Sequence, residues 1–259
     1  MNKQLKWIIP VSVGVAVLAL WYVALGAGWV NEFLLPTPHA IIQEIPAKWD
    51  QFSGAIARTA YASVVGFLAA TGGGFLIALI LASNTYIKSA LYPYVLILQM
   101  TPIIVVIPLI AIFMGTGLGP ITLITFLIGF FPVVANTTAG LTSTDKNLLN
   151  LFKMGNATKA QEILQLRIPY AMPNFLTGMK IAGTLSPIGA LTGDFLLGDS
   201  MTGGLGYLLY VFRQITDTTA VFALGLITCL LGFVFVATVN MIHYFALKNW
   251  HDSYNNKDA

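Results

Sequence analysis

Residues 145–173, DKNLLNLFKMGNATKAQEILQLRIPYAMP, form the longest polar interruption in an otherwise apolar chain. Lys146, Lys153, Lys159 and Arg167 fall inside it and Lys180 lies just beyond, the densest basic cluster in the sequence. On either side run long, nearly uncharged stretches. Such stretches mark transmembrane helices, because about 20 residues at roughly 1.5 Å rise cross the hydrocarbon core. The 259 residues are 57% hydrophobic and only 9% charged, whereas soluble domains carry about 25% charged residues. A water-soluble globule is therefore excluded. The apolar runs are continuous rather than alternating, which also excludes a membrane β-barrel. The expected fold class is an all-α polytopic membrane protein with about six transmembrane helices.

The expected spans are residues 7–27, 56–83, 91–114, 120–141, 173–197 and 220–247. Lys3 and Lys6 precede the first, as in a signal peptide. The apolar run is longer than a signal core, and Gly26-Ala27-Gly28 is a poor cleavage site, so it reads as a retained helix. A single membrane domain, 1–259, is expected. Residues 1–55 hold the first span and an outer amphipathic segment, 56–247 the core with its polar loop 145–173, and 248–259 a tail.

Basic residues set the orientation. With the N-terminus inside, Lys3, Lys6, Lys88, Lys146, Lys153, Lys159, Arg167, Lys180, Lys248 and Lys257 fall on the cytoplasmic side. Only Lys48, Arg58 and Arg213 fall outside. Positive residues accumulate inside, so both termini and the 145–173 loop are expected in the cytoplasm. In the outer segment, Leu35-Pro36-Thr37-Pro38 is a rigid turn, since each proline fixes φ and restrains the residue before it. A short amphipathic segment follows and is expected to end near Pro46. Trp29, Trp49 and Tyr61 suit the membrane interface.

The polar loop can be written as two short helices. In the first, 146–154, Leu148, Leu151 and Phe152 share one face, with Lys146, Asn150 and Lys153 on the other. Gly155-Asn156 breaks it, as these residue types do at helix ends. Thr158 and Gln161 have capping-box spacing and start a second helix near Lys159, which Pro169 is expected to end. One reading is an amphipathic connector lying on the membrane surface. The other is a docking element for a partner. The sharp break in the middle favours docking, because a surface helix needs no break.

This loop resembles that of the integral membrane permeases of ABC importers, whose pattern ends in Ile-x-Leu-Pro. Here the end is Leu166-Arg167-Ile168-Pro169. Aligned on Pro169, the family glycine falls on Asn156, with Gly155 one place early, and Asn150-Leu151-Phe152 take the place of Glu-Ala-Ala. The likeness extends along most of the chain to the nitrate, sulfonate, taurine and thiamine-precursor branch. It runs through Leu35-Pro36-Thr37-Pro38, Thr101-Pro102 to Pro108-Leu109, and Gly115-Thr116-Gly117. Phe130-Phe131-Pro132, Asn136 and Gly140-Leu141 continue it, followed by Pro173, Gly178, Asp194-Phe195-Leu196 and Gly204-Leu205-Gly206-Tyr207.

What the resemblance implies is a non-catalytic permease subunit in a prokaryotic plasma membrane. Two permease copies would form the path, and a cytoplasmic ABC ATPase dimer would receive the coupling loops. An extracytoplasmic binding protein would deliver the solute. ATP and Mg would be bound by the ATPase, since this sequence has no G-x-x-x-x-G-K-[ST] loop. The coupling residues would be Asn150, Leu151, Phe152, Met154, Gly155, Asn156, Ala157 and Lys159.

The remaining candidates lie in the spans. Pro102 and Pro108 interrupt the third span and free carbonyls that could line a path; a packing kink is the alternative. Asn136, in mid-span, suits helix packing or solute contact. Asp194 is the acidic residue well inside a span, and is either a gate or bonded to backbone amides around Gly198 and Gly203. His39, His243 and His251 make no site. The lone Cys229 offers neither a disulfide nor a cysteine metal site, and a net charge of +3 calls for no nucleic acid. Rival readings are a stand-alone carrier or channel, or an intramembrane enzyme. The first lacks visible inverted repeats, and the second lacks convergent catalytic groups.

Overall fold

A computed structural model describes residues 5–247, with side chains from 8 to 246. Lys3, Lys248, His251 and Lys257, and the side chain of Lys6, lie outside the described residues. The order is α1 (Leu5–Gly26), α2 (Pro38–Ala47), α3 (Trp49–Ser83), α4 (Thr85–Met100), α5 (Ile103–Met114) and α6 (Leu118–Thr142). Then come α7 (Lys146–Met154), α8 (Lys159–Gln161), a π-helical turn (Glu162–Arg167), α9 (Ile168–Leu197), α10 (Leu205–Gln214) and α11 (Thr218–Leu247). No strand occurs among the described residues, so the all-α expectation holds.

Four helices are long and apolar enough to cross a membrane: α1, α3, α6 and α11. The pair α4 and α5 makes a fifth crossing only if counted as one broken span, because the two meet at 96°. The straight third span expected over residues 91–114 is thus bent at Thr101-Pro102. Proline removes a backbone donor and clashes with the preceding turn, which accounts for the break. Pro108, by contrast, sits inside α5 without interrupting it.

The expected fifth span, 173–197, lies in α9, which is long enough to cross but does not reach the apolarity of the others. Its place in the fold explains why. α9 packs between α6 and α3, α10 and α11, and buries Ser186, Gly178, Gly183, Gly189 and Asp194. A helix shielded by neighbours need not be greasy all round.

Small residues let α3, α6 and α9 approach. A Cβ built on Gly74 would stand 2.8 Å from Val133, and one on Gly178 3.0 Å from the Pro132 carbonyl. In membranes such close approach supplies the packing that hydrophobic driving force cannot. Of the Gly72-Gly73-Gly74 run, Gly72 faces open space and Gly74 makes the contact.

α3 begins at Trp49, within what sequence alone assigns to the outer segment, and at 35 residues it spans about 50 Å. Its first turns therefore stand beyond the roughly 30 Å hydrocarbon layer. Pro46 lies inside α2, and the chain turns at Lys48. α1 is the least engaged helix: none of its apolar window is buried. It touches the rest near its end, where Trp21 packs on Phe222 and Tyr22 stacks on His39.

Candidate functional site

The polar loop folds as two helices, but not with the expected stop. Asp145 caps α7 by accepting from the Asn147 amide at 2.6 Å. At the other end, the Asn156 amide donates to the Lys153 carbonyl and the Ala157 amide to the Phe152 carbonyl. This is a Schellman closure, with Asn156 in the left-handed region at φ 53°. Gly155 has an ordinary φ of −78°, so the left-handed residue is the asparagine. Thr158 then forms the anticipated capping box: the Gln161 amide donates to its hydroxyl, and its own amide donates to the Gln161 side chain.

Pro169 does not end the second helix. The chain runs from α8 through the π turn into α9 without a break. The Ile168 amide reaches back to the Ile163 carbonyl, a five-residue step. A proline ring would collide with the carbonyl four residues back in a regular α-helix; the wider turn makes room.

Arg167 anchors this junction. Its guanidinium pairs with Glu162, Nη2 to Oε1 at 2.6 Å and Nε to Oε1 at 2.7 Å, and Nη1 donates to the Leu141 carbonyl at 3.4 Å. The last contact ties the loop to the end of α6. Beneath α7, a small cavity of about 170 Å³ is lined by Leu149, Lys153, Lys159, Arg167 and Ser83 of α3.

The face assignment of α7 changes. Leu149 and Phe152 are half-buried against the body, whereas Leu148, Leu151 and Met154 are exposed, the last by 83%. Phe152 is thus turned partly inward, away from the row formed by Leu148 and Leu151. Asn150, Gly155, Asn156 and Lys159 are exposed and Ala157 is half-buried.

The candidates in the spans fall in separate places. Pro102 caps the start of α5 at the elbow, while Pro108 is exposed further along α5. The Asn136 side chain donates to the Pro132 carbonyl of its own helix at 2.8 Å, so its amide bridges no helices. Asp194 is buried, and both carboxylate oxygens are engaged. One accepts from the Gly204 amide at 2.9 Å and the other from the Tyr207 amide at 3.0 Å. The partners are amides at the α10 start, just past Gly203, while the Gly198 amide donates to the Asp194 backbone carbonyl.

Two α3 groups complete that junction. Thr59 accepts from the Leu205 amide at 2.9 Å, and Arg58 donates to the Gly203 carbonyl at 2.9 Å. The first amides of a helix have no partners within it, and here α3 and α9 supply them. Sequence reasoning missed Thr59 and Arg58 because they lie about 145 positions before their partners.

On the same side of the bundle, Lys48 pairs with Glu44 at 2.7 Å and with Asp217, and lies 4.5 Å from the centre of the Phe212 ring. Burial pushes the Asp217 carboxyl up, but the hydrogen bond from Lys48, the Ala220 amide and the Lys48 charge outweigh it and hold it below the usual range. No group of metal-ligating side chains gathers among the described residues.

Comparison with known proteins places this architecture. Residues 70–244 match the family described as binding-protein-dependent transport system inner membrane component. The chain belongs to that family and is the permease subunit of an ABC importer, a non-catalytic membrane component. It is 29% identical over 244 residues to the formylaminopyrimidine transport permease protein ThiX of Halalkalibacterium halodurans, covering 93% of this chain and 96% of that one. It is 28% identical over 256 residues to the putative aliphatic sulfonates transport permease protein SsuC of Bacillus subtilis, covering 98% and 91%. Among solved structures, the inward-facing MetNI methionine ABC transporter shares the fold. Its TM-score is 0.56 at 17% identity, over 76% of this chain and 98% of that one.

Proposed function

We propose that the 145–173 loop is the point where this permease takes up force from a cytoplasmic ATPase, with α7 as the docking helix. The observation that carries this is the row Leu148, Leu151 and Met154, left exposed on a helix whose other face is tied to the bundle. Burying a large apolar side chain contributes about 1.5–3 kcal/mol, so a cleft that covers Leu151 and Met154 gains several kcal/mol. The capped ends, the Schellman closure and the Arg167 anchor support transmission, since a rigid element carries displacement into α6 and α9.

In this reading the loop and both termini face the cytoplasm of a prokaryote, and the α10 junction faces outward. Two permease copies enclose the path. A dimer of ABC ATPases binds ATP and Mg, and a solute-binding protein delivers cargo from outside. The domain is a single unit over 1–259, with Pro102, Asn136 and Pro108 on or near the path and Asp194 holding the outer segment. The relatives' names span a formylaminopyrimidine and aliphatic sulfonates, which supports a small solute as the cargo.

Co-purification with the partner ATPase tests the docking. Leu151→Asp with Met154→Asp is expected to abolish association while the permease still folds, because both side chains are exposed. Unchanged association and unchanged uptake in that double variant would sink the proposal.

A further inference from the structure

The elbow between α4 and α5 holds a cavity of about 470 Å³, lined in part by Gln99, Thr101, Ile103, Phe131, Pro132 and Leu185. Its depth follows from α6 and α9. Phe131 and Pro132 lie near the middle of α6 and Leu185 near the middle of α9, so the cavity sits close to mid-membrane. That size, with mostly apolar walls and a few polar groups, is the usual build of a small-molecule site.

The polar groups there are unusual for hydrocarbon depth. The Gln99 side chain has no hydrogen-bond partner among the described residues. A side-chain amide offers two donors and a two-lone-pair acceptor, and lipid satisfies neither. The break adds a short non-helical stretch at Thr101-Pro102. Irregular backbone at this depth is tolerated where it lines a cavity. Thr101 is occupied, its hydroxyl donating to the Ile97 carbonyl at 3.1 Å.

The field at the break is close to neutral. α4 brings the negative end of its dipole to the elbow and α5 the positive end, and these oppose each other. No Lys, Arg, His, Asp or Glu lines the cavity. No cationic side chain is there to offset the cost of desolvating a fixed negative charge at this depth. A solute carrying both donors and acceptors on a flat apolar frame matches what is there.

We propose that the elbow is a solute subsite of the path, and that it takes an uncharged heteroaromatic solute rather than a sulfonate or other oxyanion. Phe131 and the aliphatic walls cover the ring faces, and Gln99 reads the ring edge. The inference rests on the permease reading above.

The test uses the permease co-purified with its ATPase, in nanodiscs, by saturation-transfer NMR at neutral pH. The probes are 4-aminopyrimidine, which is uncharged there, and methanesulfonate. The pyrimidine is expected to show a binding signal and methanesulfonate none. Gln99→Leu should weaken pyrimidine binding about tenfold, the loss of one or two hydrogen bonds. Gln99→Arg should admit methanesulfonate, a gain that a purely structural residue would not produce. If Gln99→Leu lowers the melting temperature, the arginine variant decides alone. The subsite is overturned by a silent pyrimidine in wild type, by equal methanesulfonate binding, or by variants that leave the spectra unchanged. Failure to co-purify counts against the docking reading instead, so the two remain distinguishable.

Discussion

Asn156 holds a backbone conformation that few residues other than glycine enter. The resemblance places the family glycine at this position, and the backbone here is left-handed, φ 53°. Glycine enters that region freely, and asparagine is one of the few other residues that does so routinely. Asn156→Gly is therefore expected to preserve the loop and leave ATPase association intact. Asn156→Val should cost about 1–2 kcal/mol, read as a lower thermal midpoint of the detergent-solubilised protein. Gly155→Ala serves as the contrast. Its φ is ordinary, and an added Cβ would lie 3.5 Å from the nearest atom, the Phe152 carbonyl oxygen, so little change is expected. A second residue-scale outcome concerns pH. The Asp199 carboxyl is held below the usual range chiefly by the Thr202 amide, against slight desolvation, with the Thr202 hydroxyl, the Met201 amide and the Thr116 hydroxyl adding to it. A depressed folded value stabilises wherever the unfolded carboxyl, near about 3.9, is ionised. That contribution is lost as pH falls through the folded value. Protection factors of the Met201 and Thr202 amides should drop on acidification, and Asp199→Asn should flatten the dependence.

At the scale of elements, what the sequence shows depends on how local the determinants are. α7 is legible to the residue, because its apolar spacing, its C-terminal break and the Thr158–Gln161 box are all within a few positions. Its buried face is not legible. Leu148, Leu149, Leu151 and Phe152 give nearly equal alternatives, and the choice is made by Arg167, Ser83 and the cavity beneath. The passage through Pro169 is equally hidden, since a proline at the end of a short helix signals a stop unless a π turn widens the helix ahead of it. The apolar run 91–114 shows that a span exists and Pro102 marks where it breaks, but the spacing of apolar residues does not encode the 96° angle. Asp194 draws notice as a buried acid, yet its role as the receptor for α10 depends on amides 10 and 13 residues later. Asp194→Asn keeps the shape but replaces one acceptor oxygen with a donor. Loss of a charge-assisted bond costs about 1.5–3 kcal/mol. Hydrogen exchange should show the start of α10 losing protection, while α7 stays unchanged.

For the molecule as a whole, the decisive property is which side faces which compartment. The helix ends sort the surface into two poles. Ser83, Lys88, Thr142 and the α7 loop share one, where Lys88 donates to the Thr142 hydroxyl at 3.0 Å. Lys48, Asp199, α10 and Asp217 share the other, where the Gly117 amide meets the Leu197 carbonyl at 2.9 Å. The basic loop belongs to the first, so the proposed orientation, with that loop in the cytoplasm, carries the whole first pole with it. Met154 and Met201 report the two poles, being 83% and 82% exposed. The sole cysteine, Cys229, sits within α11, facing out of the bundle, at a depth that a membrane-impermeant reagent does not reach. In a Cys229→Ser background, Met201→Cys should react with an impermeant maleimide added to intact cells. Met154→Cys should react only after permeabilisation, and co-expressed ATPase should slow that reaction if α7 is docked. Labelling of Met154→Cys in intact cells would reverse the orientation and remove the loop from any cytoplasmic partner. Equal labelling with and without the ATPase would leave the orientation standing and count against the dock.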